Sequence, residues 1–298
     1  MASGLKAIRR RIQSVRNTQK ITRAMRMVAA SRLRKAQNTM LTIRRYSDEL
    51  RRLAALVAGR VDTDHPLMTP RPEVRREVIV VVSGDRGLCG SFNANIARHV
   101  RKKAAALSAA GVAPTLLFIG RKGAEALRSL PAAQERTFTD LFGRLTSDAV
   151  TPVIEFLARG YLRGDHDRVT VVFNRFRSAM VQETGEEQIF PLTENIFAPR
   201  EIVTDAAHRD LLLEPDAAAI VDHLVPHFAA AELYHGLMES IASELAARMN
   251  AMEAATRNAD EMAGRLTIEY NEARQNAITT ELMEIVGGAE ALKAARGR

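Results

Sequence analysis

Apolar residues recur with heptad spacing through the first 58 residues, a stretch that contains no proline. Two interleaved series carry the pattern, and each advances by seven residues. The first is Leu5, Ile12, Gln19, Arg26, Leu33, Met40, Ser47 and Ala54, and the second is Ile8, Val15, Thr22, Ala29, Ala36, Ile43, Leu50 and Val57. Alternating steps of three and four residues place both series on one face of an α-helix. The pattern predicts one long helix over residues 1–58 that packs against a second helix.

The apolar pattern within this register fails over two helical turns. Three successive heptad positions are polar, namely Gln19, Thr22 and Arg26. In the same window a second apolar stripe runs along a neighbouring face, formed by Ile21, Met25 and Val28. One interpretation is a local stutter in the coiled coil. The other, which we favour, is that the second stripe contacts a third element.

The C-terminal segment repeats the heptad pattern with smaller side chains. Alternating steps connect Met238, Ile241, Leu245, Arg248, Met252, Ala255, Ala259, Met262, Leu266, Glu269 and Ala273. Alanine and methionine dominate this series, which allows a partner helix to approach closely. Pro226 is expected to start or kink the helix. Beyond Ala273 an apolar edge continues through Ile278, Leu282 and Ile285.

Charge is divided unevenly between the two ends of the chain. Residues 1–58 contain 15 basic and 2 acidic residues, a net charge of +13, whereas residues 208–298 contain 8 basic and 15 acidic residues, a net charge of −7. Opposite charges on two amphipathic helices favour their pairing. Since a folded domain separates the two segments, the chain must return, and the pair is predicted to be antiparallel.

The middle of the chain, residues 74–193, has the pattern of a small doubly wound α/β domain. Residues 78–82 form a continuous β-branched run, typical of a buried parallel strand. Further strands are predicted at 115–119, at 169–175 and, in antiparallel orientation, near 187–192, with helices near 91–107, 121–129 and 147–162. The predicted fold class is therefore α/β with a long antiparallel coiled coil. Its domains are residues 1–58, 74–193 and 208–298.

Candidate catalytic and binding residues are few. The turn after the first strand has glycines 84, 87 and 90, a GxxGxxG spacing that matches neither the dinucleotide fingerprint nor a phosphate loop, so we interpret it as a tight βα turn. Cys89 within it is expected to be a small buried residue. His223 and His227 lack the glutamate of a zinc motif. The polar stretch 165–167 is expected to be a solvated loop. No cofactor or catalytic set is predicted.

Composition narrows the class of protein further. The chain of 298 residues has 46% hydrophobic residues, no Trp and a single cysteine. One cysteine excludes a disulfide framework and indicates a reducing compartment. No apolar run reaches the length of a membrane span, and the N-terminus is not expected to be a secretory signal. The sequence favours a mechanical part of a larger assembly rather than an enzyme.

Four segments resemble the gamma subunit of F-type ATP synthases. They are Thr18–Ala30, which begins TQKITRAM, then Gly84–Gly90, with the sequence GDRGLCG, then Ala247–Ala259, and finally Tyr270–Leu282, which contains NEARQ. The resemblance covers nearly the whole chain in the same order. It implies a non-catalytic rotor shaft inside a hexameric ring of alpha and beta subunits, with an epsilon subunit and a membrane ring of c subunits at the other end. It also implies a peripheral location at the cytoplasmic face of a bacterial inner membrane.

The resemblance further implies two sets of contact residues. Ile21, Met25 and Val28, together with Arg274 and Gln275, would contact beta subunits. The apolar run Leu211, Leu212 and Leu213 would contact the c ring or epsilon, although packing of this run under the domain is an equal alternative.

Two rival functions follow from other features of the sequence. The basic helix is also compatible with a coiled-coil protein that binds nucleic acid, and such a protein would bind DNA with a salt-dependent affinity. The α/β domain admits a nucleotide-dependent enzyme, which predicts saturable nucleotide binding. Aromatic residues for base stacking are nearly absent, at 5% of the chain.

Overall fold

Two long helices flank an α/β region in the computed structural model, which describes residues 2–58, 65–143, 145–192 and 217–296. The elements in chain order are α1 (Ala2–Ala58), β1 (Arg76–Val82), α2 (Phe92–Ala109), β2 (Ala113–Ile119), α3 (Arg121–Leu127), β3 (Ala133–Phe138), α4 (Ser147–Arg163), β4 (Arg168–Phe176), β5 (Gln182–Phe190) and α5 (Ala217–Arg296). The chain divides into two compact units. Unit 1 comprises Met1–Val28 and Met249–Arg298, and unit 2 comprises Ala29–Arg248.

The sheet of unit 2 has the strand order β3-β2-β1-β4-β5. The first four strands are parallel, and β5 returns antiparallel to β4. The prediction of a doubly wound domain is confirmed, and so is the antiparallel orientation of the last strand. Strand β3 was not predicted, because its sequence AQERTF is polar and lies almost wholly exposed at the sheet edge. Such a strand lacks the apolar pattern that marks its neighbours.

Separate apolar cores cover the two faces of the sheet. Val78, Val80 and Val82 of β1 pack with α4 and with the first part of α5, whereas Ile79 and Val81 pack with α2 and α3. Successive side chains of a strand point to opposite faces, so a strand buried on both faces must be apolar throughout. The continuous run at 78–82 therefore follows directly from the position of β1 in the middle of the sheet.

One expectation about local structure is wrong, because the stretch 165–167 is not a solvated loop: His166 and Asp167 are buried. Of the two roles expected for Pro226, starting the helix is excluded, since α5 begins nine residues earlier, at Ala217, and a kink at Pro226 stays a prediction. The His166 ring bonds to the Leu157 carbonyl oxygen at 2.9 Å, and the Asp167 carboxylate accepts the N–H groups of residues 75 and 76, both at 2.9 Å. These polar residues close the amino-terminal edge of the sheet.

Candidate functional site

Three polar pairs join the two long helices within unit 1. Gln19 Nε2 donates to Asp260 Oδ1 at 2.9 Å, the hydroxyl oxygens of Thr22 and Thr256 lie 2.8 Å apart, and Arg26 Nη1 lies 3.7 Å from Glu253 Oε1. Ascending numbers on α1 meet descending numbers on α5. The predicted antiparallel pairing is therefore confirmed, and we call these contacts the polar ladder.

The polar ladder explains the interrupted heptad pattern of α1. Within unit 1, Thr22 is buried and Val15, seven residues earlier, is half-buried, so the polar positions continue the seam between the helices. A stutter, which would move the seam to another face, does not occur. The partners on α5, residues 253, 256 and 260, show the same steps of three and four as residues 19, 22 and 26. This complementary spacing was present in the sequence and could have located the pairing.

The seam of α5 differs from the predicted series at alternate positions. Met252, Ala259 and Leu266 are buried as expected. Between them, however, Ala263 is 8% exposed whereas Met262 is 48% exposed. From Met252 onward the seam positions of α5 are therefore spaced by four and then three residues, whereas the predicted series was spaced by three and then four. Two neighbouring helix positions both satisfy the heptad rule approximately, and the sequence offered no means of choosing between them.

The second apolar stripe of α1 lies on a different face of the helix from the seam. Ile21 is 60% exposed and Val28 is 53% exposed, while Met25 is half-buried. Because successive residues are separated by about 100° around a helix, Ile21 points well away from Thr22 and the seam. Unit 1 therefore presents an apolar flank that its own helices do not cover.

Arg274 and Gln275 are exposed on α5. Within the described ranges, no carboxylate lies at ion-pair distance from Arg274.

Helix α5 extends beyond the start of α1. In each pair of the polar ladder the two residue numbers add up to 278 or 279, so by the same register Ala2 falls opposite about residue 277. The continuing part of α5 is exposed on its apolar edge, at Ile278, Leu282 and Ile285. We call this edge the apolar tip.

The glycine turn of unit 2 is a tight βα turn, as predicted. The Asp85 carboxylate accepts the backbone N–H of Arg121 at 3.2 Å and that of Asp140 at 3.1 Å, so it ties together the ends of three strands. Cys89 is buried, and burial is the main cause that raises the pKa of its thiol. Asn93 Nδ2 lies 3.2 Å from the Cys89 sulfur. This thiol is a packing group held in its protonated form.

The neighbouring βα turn, after β2, is equally tight. Gly120 has a φ of +95°, and a Cβ at this position would lie 1.9 Å from the Ser83 carbonyl oxygen. Only glycine fits there. Ser83 Oγ accepts the N–H of Gly123 at 2.8 Å. The backbone amides of this turn are thus used within the protein.

The histidines at positions 223 and 227 form a local contact on α5. His227 Nδ1 lies 2.8 Å from the His223 carbonyl oxygen, a bond along one helix face. Among the residues that the structure describes, no group of three or more His, Cys, Asp or Glu side chains is arranged to hold a metal ion.

Comparisons with known proteins address the family. The family model described as ATP synthase matches residues 4–292. The ATP synthase gamma chain of Geotalea uraniireducens is 40% identical over 294 residues, covering 98% of this chain and 100% of the relative. The ATP synthase gamma chain of Chlorobaculum tepidum is 41% identical over 294 residues, covering 97% of this chain and 99% of the relative. The chain belongs to the ATP synthase gamma chain family.

Chains of two solved ATP synthase structures have a fold similar to that of this chain. A chain of the Tetrahymena thermophila mitochondrial ATP synthase central stalk and c-ring structure matches with a TM-score of 0.59 and 25% identity, over 79% of this chain and 99% of that chain. A chain of the Euglena gracilis mitochondrial ATP synthase matches with a TM-score of 0.69 and 19% identity, over 99% of this chain and 97% of that chain.

Two remaining expectations concern attachment to a membrane complex. No helix within the described residues is long and apolar enough to cross a membrane. The apolar run Leu211, Leu212 and Leu213 lies outside the described residues. Its contact with a c ring or epsilon subunit stays a prediction.

Proposed function

We propose that this chain is the central rotor shaft, the gamma subunit, of an F-type ATP synthase. The observation that carries the proposal is the surface of unit 1: a helix pair with a polar seam, an apolar flank at Ile21 and Val28, and an apolar tip. Burial of exposed apolar side chains beneath another protein would stabilise the complex, because it removes apolar surface from water. A ring of alpha and beta subunits around the pair would supply that cover.

The shaft acts by differential contact. One asymmetric helix pair inside a ring with threefold repetition cannot present the same face to three beta subunits at once. Each beta subunit is therefore biased towards a different conformation, and turning the shaft moves that bias around the ring. ADP, phosphate and Mg²⁺ are handled by the beta subunits. This chain supplies torque and timing and needs no cofactor.

Arg274 and Gln275 are proposed to hold the shaft at defined angles. Arginine offers a planar fork of donors to loop carboxylates, and glutamine both donates and accepts. Both side chains are exposed on α5, and among the described residues no carboxylate forms an ion pair with Arg274. Hydrogen bonds to a charged group are worth about 1.5–3 kcal/mol. We propose that Ile21, Met25 and Val28 make the companion apolar contacts with beta.

Attachment to the membrane is proposed to be indirect. The c ring or the epsilon subunit would contact the apolar run Leu211, Leu212 and Leu213. The subunit would then lie at the cytoplasmic face of a bacterial inner membrane as a peripheral part of the complex. Ion flow through the membrane sector would turn the c ring and, with it, this chain.

Co-expression with the alpha and beta subunits of the same cell tests the proposal. We expect a stable complex that hydrolyses ATP and binds detergent-solubilised c ring. Replacing the apolar tip residues together (Ile278→Asn, Leu282→Asn, Ile285→Asn) should weaken assembly without unfolding the chain. A chain that binds neither subunit, or that instead binds DNA with steep salt dependence, would contradict the assignment.

A further inference from the structure

Doubly wound sheets bind ligands beyond the carboxyl ends of their strands, at the point where the strand order changes direction. In this sheet that point lies between β1 and β4, because β2 and β3 extend one side and β4 and β5 the other. Within unit 2, the α5 residues 239–248 lie at this place. A helix of the same chain lines this edge: Arg248 Nη2 donates to the Gly87 carbonyl oxygen at 3.2 Å in the loop after β1. An open cavity of about 910 Å³ remains between that loop and α5.

The contacts between α5 and the end of β4 are polar and buried. Ser243 Oγ donates to the carbonyl oxygen of Asn174 at 3.0 Å, and both residues are almost fully buried. One turn earlier, burial is the main cause that raises the pKa of Glu239, and the nearby backbone of Phe176 acts in the opposite direction. Asn174 and Phe176 lie two residues apart at the carboxyl end of β4. The helix therefore binds main-chain groups that a ligand would otherwise meet.

Asn174 also joins three elements around the crevice. Its Nδ2 donates to the carbonyl oxygen of Phe92 at 3.4 Å, at the start of α2, and its Oδ1 accepts the hydroxyl of Thr184 on β5 at 2.6 Å. A displacement of Ser243 would consequently disturb the contacts of β4 with both β5 and α2.

These polar contacts begin where apolar attachment of α5 to the sheet ends. The sheet core includes α5 residues from Val221 to Leu237. Gly236 lies against the Phe173 ring, where an added Cβ would be 3.6 Å from the ring atoms. Farther along α5, Ser243 donates to the Asn174 carbonyl oxygen and Arg248 donates to the Gly87 carbonyl oxygen.

We propose that α5 is the intramolecular ligand of the α/β domain, and that Ser243 and Asn174 are positioning residues through which torque passes between the domain and the shaft helix. The inference rests on the proposed rotor function. It assigns a mechanical use to a crevice that related architectures use for small molecules.

Serine substitutions on one helix provide a matched test. Ser243→Ala removes the donor to Asn174, and because alanine is the better helix former the helix itself is not weakened. Ser240→Ala is the control, since Ser240 is equally buried and its Oγ has no hydrogen-bond partner among the described residues. Both variants are assembled into the complete complex. Hydrogen exchange of the amides at 174–176 and 239–248 is then measured, together with the angular spread of a bead on the arrested rotor.

Ser243→Ala is expected to accelerate exchange of these amides roughly threefold to tenfold, the effect of losing one buried hydrogen bond. It should also broaden the angular distribution of the bead, whereas Ser240→Ala changes neither quantity. Exchange and bead distributions that are the same for both variants would overturn the inference. Failure of wild-type chain to assemble with the alpha and beta subunits would instead contradict the proposed function.

Discussion

Unit 2 and unit 1 bury their apolar residues in opposite ways. In unit 2 both faces of the sheet are covered by helices of the same chain, and residues such as Val80, Leu117 and Phe118 are almost wholly inaccessible. In unit 1 the seam contains hydroxyl, amide and charged pairs, while Ile21 and the apolar tip face outward. The sheet of the first region is covered by its own helices, whereas the second region leaves apolar side chains of its helix pair exposed.

This difference separates stability from function. Substitutions in the cores of unit 2 act on folding, because buried volume determines the free energy of unfolding there. If the proposed function is correct, substitutions on the outer surface of unit 1 should act on assembly and coupling, because those residues would contact other subunits. Each of the following predictions tests one side of this division.

The largest expected effect is loss of stability in unit 2. Phe118→Ala should lower the free energy of unfolding by about 3–5 kcal/mol, since it opens a cavity in a fully covered core. Denaturant titration of the isolated chain measures the change. Ile278→Ala in unit 1 is the control, and an exposed site of this kind should shift stability by less than about 0.5 kcal/mol. Equal losses for the two variants would contradict the division.

The next effect concerns coupling. Arg274→Ala combined with Gln275→Ala should lower ATP synthesis driven by ion flow while the isolated chain folds normally. The loss corresponds to about 1.5–3 kcal/mol for a charged hydrogen bond. Arg265→Ala, an exposed arginine two turns earlier on α5, serves as the control. Assembled complexes of the double variant with unchanged hydrolysis and synthesis would refute the assignment to beta contact.

A pH dependence is expected from unit 2. Burial lowers the pKa of His166 below its ordinary value of 6.5, so the folded chain holds this ring neutral. The stabilisation is present above pH 6.5 and is lost as the pH falls below it, because the unfolded chain then binds a proton that the folded chain resists. One such group gives a slope of at most about 1.4 kcal/mol per pH unit.

Chemical unfolding at a series of pH values from 8 downward tests this expectation. His166→Gln keeps an amide that can donate to the Leu157 carbonyl oxygen but cannot titrate. If the wild-type and variant curves stay parallel through the acidic range, His166 is not the group responsible.

A smaller effect is expected in the seam of unit 1. Thr22→Val or Thr256→Val alone should cost roughly 0.5–1.5 kcal/mol, since each breaks the hydroxyl pair. The double variant should recover most of this loss, because two valines replace the bond by apolar contact. A double-mutant cycle on the full chain gives the coupling energy. Strictly additive losses would show that the two hydroxyl groups do not interact.

The smallest effect is expected at the Arg26–Glu253 pair of the polar ladder. Arg26 and Glu253 are both nearly half exposed, at 43% and 47% of their side-chain surface. Exposed ion pairs contribute about 0–1 kcal/mol and are screened by salt. Glu253→Gln should therefore change thermal stability only at low ionic strength. A large loss that persists at high salt would mean that this pair is not solvated as described.

Expectations from the sequence were correct where a single period governs a long segment. The α1 register from Leu5 to Leu50 holds without a break, since every turn of a long helix repeats the same geometric requirement. The buried run at 78–82 was equally clear. The sequence did not predict strand β3, because an exposed edge strand has no apolar pattern. On α5 the sequence could not show whether Met262 or Ala263 lies in the seam, because both positions satisfy the heptad spacing approximately.

The sequence by itself determined that two long amphipathic helices pair around a doubly wound domain, because periodicity and charge are properties of the chain alone. Only the tertiary structure decided which polar groups meet. The pairing of Thr22 with Thr256 and the bond from Ser243 to Asn174 join residues 234 and 69 positions apart. The matched spacing of polar residues on α1 and α5 was readable in the sequence, whereas no local pattern specifies the bond from Ser243 to Asn174. Both of those residues are buried, where a polar group without a partner is costly, so a partner that the fold brings near is favoured.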